Sequence, residues 1–169
     1  NSLTGAYSAA NAIKAFRKEP LNYIFGSPEE EEVRAKVGAT IRAAKLKYDM
    51  RHLTVAAVGH TPQGFGFGRA LDLEMLENFG ASLESIEARE LIDIAKGYSD
   101  EDVKDYLSDA GERMCGLENT PEQNRKDFAR LYRAYKEYVT DHHVGALASR
   151  CWPDFFTAFG TPVCAVLAM

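Results

Sequence analysis

A continuous apolar run, from His52 to Val58, is followed directly by the glycine-rich segment Gly59 to Gly68. An uninterrupted apolar pattern of this kind is typical of strands that are buried on both faces of a parallel sheet. In open α/β sheets, ligands bind beyond the carboxyl ends of the strands. The run therefore predicts a parallel strand with a ligand-facing loop at its end.

Three further strand-like runs alternate with helical patterns. We interpret Leu21–Phe25, Ala81–Ala88 and Val144–Ser149 as strands, the second at a sheet edge because charges interrupt it and the third in the sheet interior because it is uncharged. The strongest helical pattern runs from Pro121 to about Thr140. This alternation predicts a single α/β domain over residues 1–169, a three-layer α/β/α Rossmann-like (flavodoxin-like) domain with a mostly parallel sheet.

Charge and hydropathy exclude two classes of partner. The chain carries 25 Asp and Glu against 20 Lys and Arg, a formal net charge of −5, and no basic run, so we expect no nucleic acid. Its longest uncharged stretches are broken by glycine, proline and polar residues and do not reach the roughly 20 apolar residues of a membrane span. The first residues show no signal-peptide pattern. A cytoplasmic protein that binds no membrane is the prediction.

The ends of the chain predict that it is a piece of a longer protein. It begins at Asn1 without an initiator methionine, and it stops at Met169 inside the apolar run that starts at Val163. No helix-ending signal precedes the stop. We therefore expect flanking domains of the same polypeptide.

The glycine-rich segment offers two candidate contact residues, His60 and Gln63. Its glycines allow backbone amides to approach an anion, and Gly64-x-Gly66 matches the start of a dinucleotide fingerprint. The fingerprint is incomplete, because Arg69 stands where its last glycine belongs. A loop that packs on a neighbouring domain is the alternative to a nucleotide site. His60 is a general base, a metal ligand or a solvated loop residue.

Arg150, Cys151 and Trp152 follow the last predicted strand. A cation beside a large amphipathic ring suits polyhydroxylated ligands, which present C–H faces for stacking and hydroxyls for hydrogen bonds. The alternative is an aromatic plug at a domain interface. The Cys151 thiol is either a nucleophile or a small buried residue. The three cysteines of the chain contain no C-x-x-C pair, so reduced thiols are expected.

Two segments carry a resemblance to a known family. Val144–Phe155 followed by Thr161–Leu167 resembles the strand, C-W-P-x-F loop and P-x-C-x-x-L helix of the L-fucose/L-arabinose isomerase superfamily. The segment Gly59–Phe65 with Leu76–Gly80 is similar to that family's glycine-rich loop and a helix ending in Phe-Gly. The resemblance spans residues 21 to 169.

The resemblance implies that this chain is the middle, Rossmann-like domain of a three-domain ketol isomerase. Such enzymes convert an aldose to a ketose through an ene-diol, with a divalent cation, usually manganese, that polarises oxygens while a carboxylate moves the proton. The family's first acidic metal ligand lies in an E-x-D segment after the P-x-C-x-x-L helix, beyond Met169. The resemblance thus implies no catalytic and no metal-binding residue here, an inactive isolated fragment, and a homo-oligomer when complete.

For individual residues, the resemblance implies only that Arg150, Cys151 and Trp152 lie close to the monosaccharide substrate. The sugar itself stays open. The rival interpretation is a non-catalytic α/β ligand-binding or regulatory domain, and a third is a nucleotide-binding enzyme that uses the glycine-rich segment.

Overall fold

The protein is described here by a computed structural model, which covers residues 2–16, 23–62, 64–65, 68 and 71–169. The chain divides into two compact units, the first ending at Leu46 and the second comprising Lys47–Met169. No helix among the residues just named is long and apolar enough to cross a membrane.

The first unit is helical. Helix α1 spans Ser2–Phe16, and α2 spans Glu31–Met50, whose last turn belongs to the second unit. The predicted strand Leu21–Phe25 is wrong at residues 23–25, which have no regular structure, and its first two residues lie outside the described part. Aromatic and β-branched side chains favour a strand only where a neighbouring strand pairs with it, and the described sheet has no strand beside this run.

A parallel three-stranded sheet organises the second unit. Strands β1 (Thr54–Val58), β2 (Ser82–Ile86) and β3 (Ala146–Ser149) lie in the order β2-β1-β3. In the register, Val55 of β1 stands opposite Leu83 of β2 and Ala146 of β3. The edge position predicted for β2 is confirmed. The interior position predicted for the last strand is wrong, because β3 is the other edge of the described sheet, where its alanines are exposed.

Helices and short helical turns connect and follow these strands. The helices are α3 (Asp72–Phe79), α4 (Ala88–Gly97), α5 (Lys104–Arg113), α6 (Glu122–Asp141) and α7 (Cys164–Leu167). Two 3₁₀ turns, Glu101–Val103 and Leu117–Asn119, and one π-helical turn, Phe155–Phe159, complete the described elements.

The main core lies on one face of the sheet. Ala56 and Val58 of β1 alternate toward this face and join one buried cluster with Leu91 of α4, Leu131 of α6 and Phe155 of the π-helical turn. All five side chains are almost fully inaccessible to solvent. The burial of such apolar side chains is the main favourable contribution to folding.

The opposite face carries Val55 and Ala57 and lies toward α3, whose Met75 lines the same cavity as these two residues. Helices therefore lie on both sides of the sheet, and the predicted three-layer α/β/α, Rossmann-like class is confirmed. The strand order matches the start of the flavodoxin-like order, in which ligands bind at the switch point between the first and third strands.

Gly80 ends α3 in the left-handed region, with φ +74°, and its N–H donates to the Leu76 carbonyl at 2.9 Å. A Cβ there would lie 2.7 Å from Arg51 Cγ. We predict that Gly80→Ala lowers the free energy of unfolding by about 1–2 kcal/mol, because an L side chain is strained in this conformation. Urea denaturation measures the change.

Gly111→Ala is the matched control, since Gly111 lies within α5 and an added Cβ meets nothing within 4 Å. It should raise the free energy of unfolding by about 0.5–1 kcal/mol, because alanine is the better helix former. Equal effects of the two substitutions would contradict the conformational argument.

Candidate functional site

A cavity of about 540 Å³ lies at the carboxyl ends of β1 and β3, within the second unit. Its size falls within the usual range for small-molecule sites, and its position is the switch point of the sheet. Its wall combines apolar residues from the sheet and α3 with polar residues from the strand ends. The lining includes Val55, Ala57, Gly59, His60, Thr61, Phe65, Asp72, Met75, Leu83, Ser85, Ser149 and Arg150.

Gly59 and Arg150 are packed together at this edge of the sheet. The Gly59 N–H donates to the Ile86 carbonyl at 2.8 Å, and the Arg150 N–H donates to the Val58 carbonyl at 2.8 Å, so the strand ladder continues one residue past each end. Gly59 has φ +76°, and a Cβ there would lie 3.1 Å from Arg150 Nε. The glycine after β1 thus leaves the space in which the Arg150 side chain lies.

Arg150 provides a mostly buried cation in the cavity wall. Its side chain is only 17% exposed, and its Nη2 lies 2.6 Å from Oδ2 of Asp154, four residues further along the chain. The Arg150 Nε and the Asp154 Oδ2 are buried and make no hydrogen bond among the described residues, so the contact between the two side chains is an ion pair. A buried guanidinium with an N–H group left without a partner suits anionic and hydroxylated ligands.

His60 lines the same cavity but is far more exposed. Its Nε2 lies 3.0 Å from Oε1 of Glu87, an ion pair only when the imidazole is protonated. Exposed pairs of this kind contribute little to stability. The other predicted loop contact, Gln63, lies outside the described residues.

Asp72, the first residue of α3, also lines the cavity. A phosphate bound in such a loop uses the N–H groups at the N-terminus of the following helix. A carboxylate at that position repels an anion. The arrangement therefore does not favour a phosphate at the start of α3, which is the position that the nucleotide-binding interpretation of the glycine-rich segment requires.

Cys151 and Trp152 are not in the cavity wall. Cys151 is half-buried, and burial raises the pKa of its thiol, which disfavours the thiolate that a nucleophile needs. The Trp152 side chain is 60% exposed. The structure thus brings Arg150 and His60 to one cavity and leaves the other two predicted substrate-proximal residues outside its lining.

Two positioning contacts were not found by sequence reasoning. The Tyr135 hydroxyl of α6 lies 2.8 Å from Ser149 Oγ, at the end of β3 beside the cavity, and burial raises the pKa of Tyr135 above its usual range. The tyrosine therefore stays protonated at neutral pH. In the sequence it is one member of an apolar stripe at helical spacing, which indicates only core packing. Asp154 carried a weak signal, its four-residue spacing from Arg150.

A manganese ion needs several carboxylate or imidazole ligands that lie close together. Over the part of the chain that the structure describes, no group of three or more His, Cys, Asp or Glu residues is placed to hold a metal ion. The described residues therefore do not fit the manganese ion that the resemblance implies.

Comparison with known proteins identifies relatives that match the chain along its whole length, whereas no protein-family model matches it. The chain is 59% identical over 169 residues to a sulfoquinovose isomerase of Clostridium sp. (strain MSTE9). Over 168 residues it is 29% identical to a sulfoquinovose isomerase of Alkalicoccus urumqiensis and 27% identical to that of Priestia megaterium. The chain spans 38% of the length of the first two relatives and 37% of the third.

Proposed function

We propose that this chain is part of an aldose–ketose isomerase of the L-fucose/L-arabinose isomerase superfamily, and that its substrate is a sulfonated sugar such as sulfoquinovose. The observation that carries the proposal is the 59% identity, along the whole chain, to a sulfoquinovose isomerase. The C-W-P-x-F loop and P-x-C-x-x-L helix support the same reaction class from the sequence itself. Because the chain spans 38% of that relative, the reaction is proposed for the longer protein.

The proposed role of this chain is to bind and orient the substrate. Arg150 is the residue best suited to this task, because it lines the cavity as a mostly buried cation whose Nε has no hydrogen-bond partner among the described residues. A sulfonate keeps its negative charge at neutral pH and offers three oxygens as hydrogen-bond acceptors. Guanidinium groups bind oxyanions with paired N–H donors, and such charge-assisted hydrogen bonds are stronger than neutral ones.

Trp152 and Cys151 remain proposed substrate-proximal residues on the strength of the resemblance. The exposed ring of Trp152 has an accessible face on which a sugar C–H face can stack. His60 is proposed as a loop contact, because it lies in the cavity wall beside Glu87. No catalytic residue is assigned to this chain.

Manganese is proposed only for the longer protein, with ligands from parts of the polypeptide other than the described residues. In a ketol isomerase the ion supplies polarisation of the carbonyl and hydroxyl oxygens. Because the described residues of this chain offer no fitting set of ligands, none of them is given a role toward the ion.

Flanking domains or a second subunit are proposed to cover apolar side chains that this chain leaves exposed. Leu73, Leu76 and Phe79 of α3 are all at least half exposed. Exposed apolar clusters on a folded protein commonly mark interaction surfaces. The exposed side chains of α3 therefore support two proposals, that the longer protein has flanking domains and that it forms a homo-oligomer. We also propose a cytoplasmic location.

The test is a conversion assay with the longer protein. Purified protein is incubated with sulfoquinovose, glucose, L-fucose or L-arabinose, with manganese or with a chelator, and the ketose formed is quantified by NMR. We expect manganese-dependent conversion of sulfoquinovose and much slower conversion of the sugars that lack a sulfonate.

Conversion of L-fucose or L-arabinose without conversion of sulfoquinovose would overturn the proposed substrate class and leave the proposed reaction class in place. A folded, manganese-loaded protein that converts none of the four sugars would overturn the proposed function.

A further inference from the structure

Two cysteines, Cys151 and Cys164, lie side by side, and Cys151 directly follows Arg150 of the cavity wall. Their Sγ atoms are 3.5 Å apart, and both thiols are free. A disulfide has an S–S distance of about 2.05 Å, so the two sulfurs must approach by about 1.5 Å for the bond to form. The third cysteine, Cys115, follows α5 and is exposed.

The two thiols differ in their access to solvent. Cys164 is the first residue of α7 and is exposed, so it meets a dissolved oxidant first. Cys151 is half-buried, and burial raises the pKa of its thiol, so it is the less reactive of the two toward peroxide. An exposed thiol that is oxidised first, with a second thiol 3.5 Å from its sulfur, is the arrangement in which a sulfenic acid condenses to a disulfide.

We propose that Cys151 and Cys164 are an oxidation site, at which a peroxide converts the two thiols to an intramolecular disulfide. The Cys164 thiolate attacks one peroxide oxygen, the O–O bond breaks, and a sulfenic acid and hydroxide form. Cys151 then attacks the sulfenic sulfur, the S–S bond forms and the S–O bond breaks, and the leaving hydroxide takes the thiol proton of Cys151 and departs as water. Solvent protonates the first hydroxide. The two sulfurs lose two electrons in total, and the peroxide is reduced to two waters.

The disulfide would join the end of β3 to the start of α7 and close the segment between them. That segment contains Asp154, the ion-pair partner of Arg150, and the exposed Trp152. Oxidation therefore restrains the segment that carries the ion-pair partner of the cavity cation. The proposal depends on the geometry of the two thiols and stands independently of the substrate proposed above.

Peptide mapping of the native protein tests the proposal. The protein is reduced, freed of reductant, exposed to hydrogen peroxide, alkylated under denaturing conditions and digested with a protease that cleaves before aspartate. Cleavage at Asp154 separates the two cysteines, so a disulfide between them appears as two cross-linked peptides in the mass spectrum. We expect loss of both alkylated peptides, appearance of the cross-link, and its reversal by a thiol reductant.

Variants and an internal control make the result decisive. Cys164→Ser should abolish the cross-link and leave Cys151 alkylated, whereas Cys115→Ser should form the cross-link as the unmodified protein does. Circular dichroism verifies that both variants are folded. The proposal is overturned if Cys164 stops at a sulfenic or sulfinic acid without cross-linking, if Cys115 supplies the partner, or if Cys151 and Cys164 both stay alkylated after peroxide treatment.

Discussion

Phe155→Ala is expected to lower the free energy of unfolding of the second unit by about 3–5 kcal/mol, the range observed when a buried phenylalanine is truncated. Phe155 is 0% exposed, and its ring centroid lies 6.3 Å from that of Tyr135 on α6. Truncation removes the transfer free energy of the ring and leaves a cavity between the π-helical turn and α6. Urea denaturation followed by far-UV circular dichroism measures the change.

Phe156→Ala is the matched control, because the neighbouring ring is 50% exposed in the same π-helical turn. Its truncation should cost less than about 1 kcal/mol, since surface substitutions away from a packed core have small effects. Similar losses for the two variants would show that the turn, rather than burial of Phe155, determines the stability.

The elements of this fold were predictable where the signal is local. The apolar run before Gly59 and the helical spacing of α6 need only neighbouring residues, and both are confirmed. The order of strands in the sheet depends on contacts distant in the chain. Val144–Ser149 is short and uncharged, which fits a strand in the interior or at an edge of the sheet, and periodicity does not separate the two cases. That is the reason for the error on β3.

The candidate site shows the same difference between local signals and contacts distant in the chain. Arg150 and His60 were predicted because parallel strands place their carboxyl ends at one edge of the sheet, and both line the cavity. The contact of Tyr135 with Ser149 requires α6 to pack under β3, which no local pattern specifies. The approach of Cys151 to Cys164 likewise depends on the path of the chain through the π-helical turn.

Arg150→Gln should lower kcat/KM for sulfoquinovose by about 10- to 100-fold in the longer protein, mainly through KM, because a hydrogen bond to a charged group contributes about 1.5–3 kcal/mol. The kcat/KM of Arg150→Lys should lie between those of the unmodified protein and Arg150→Gln, since lysine keeps the charge and loses the planar fork of donors. Steady-state assays with sulfoquinovose measure the loss, and thermal melting shows whether removal of Asp154's partner disturbs the fold.

Arg89→Gln serves as the control for this prediction, because Arg89 lies on α4, pairs with Asp93 and is not in the cavity wall. Its kcat/KM should equal that of the unmodified protein. An equal loss for a sugar without a sulfonate would show that Arg150 binds hydroxyl groups instead of the sulfonate. Unchanged kinetics in Arg150→Gln would remove the cavity from the proposed substrate site, because a bound sulfonate beside this guanidinium must lose a charge-assisted contact when the charge is removed.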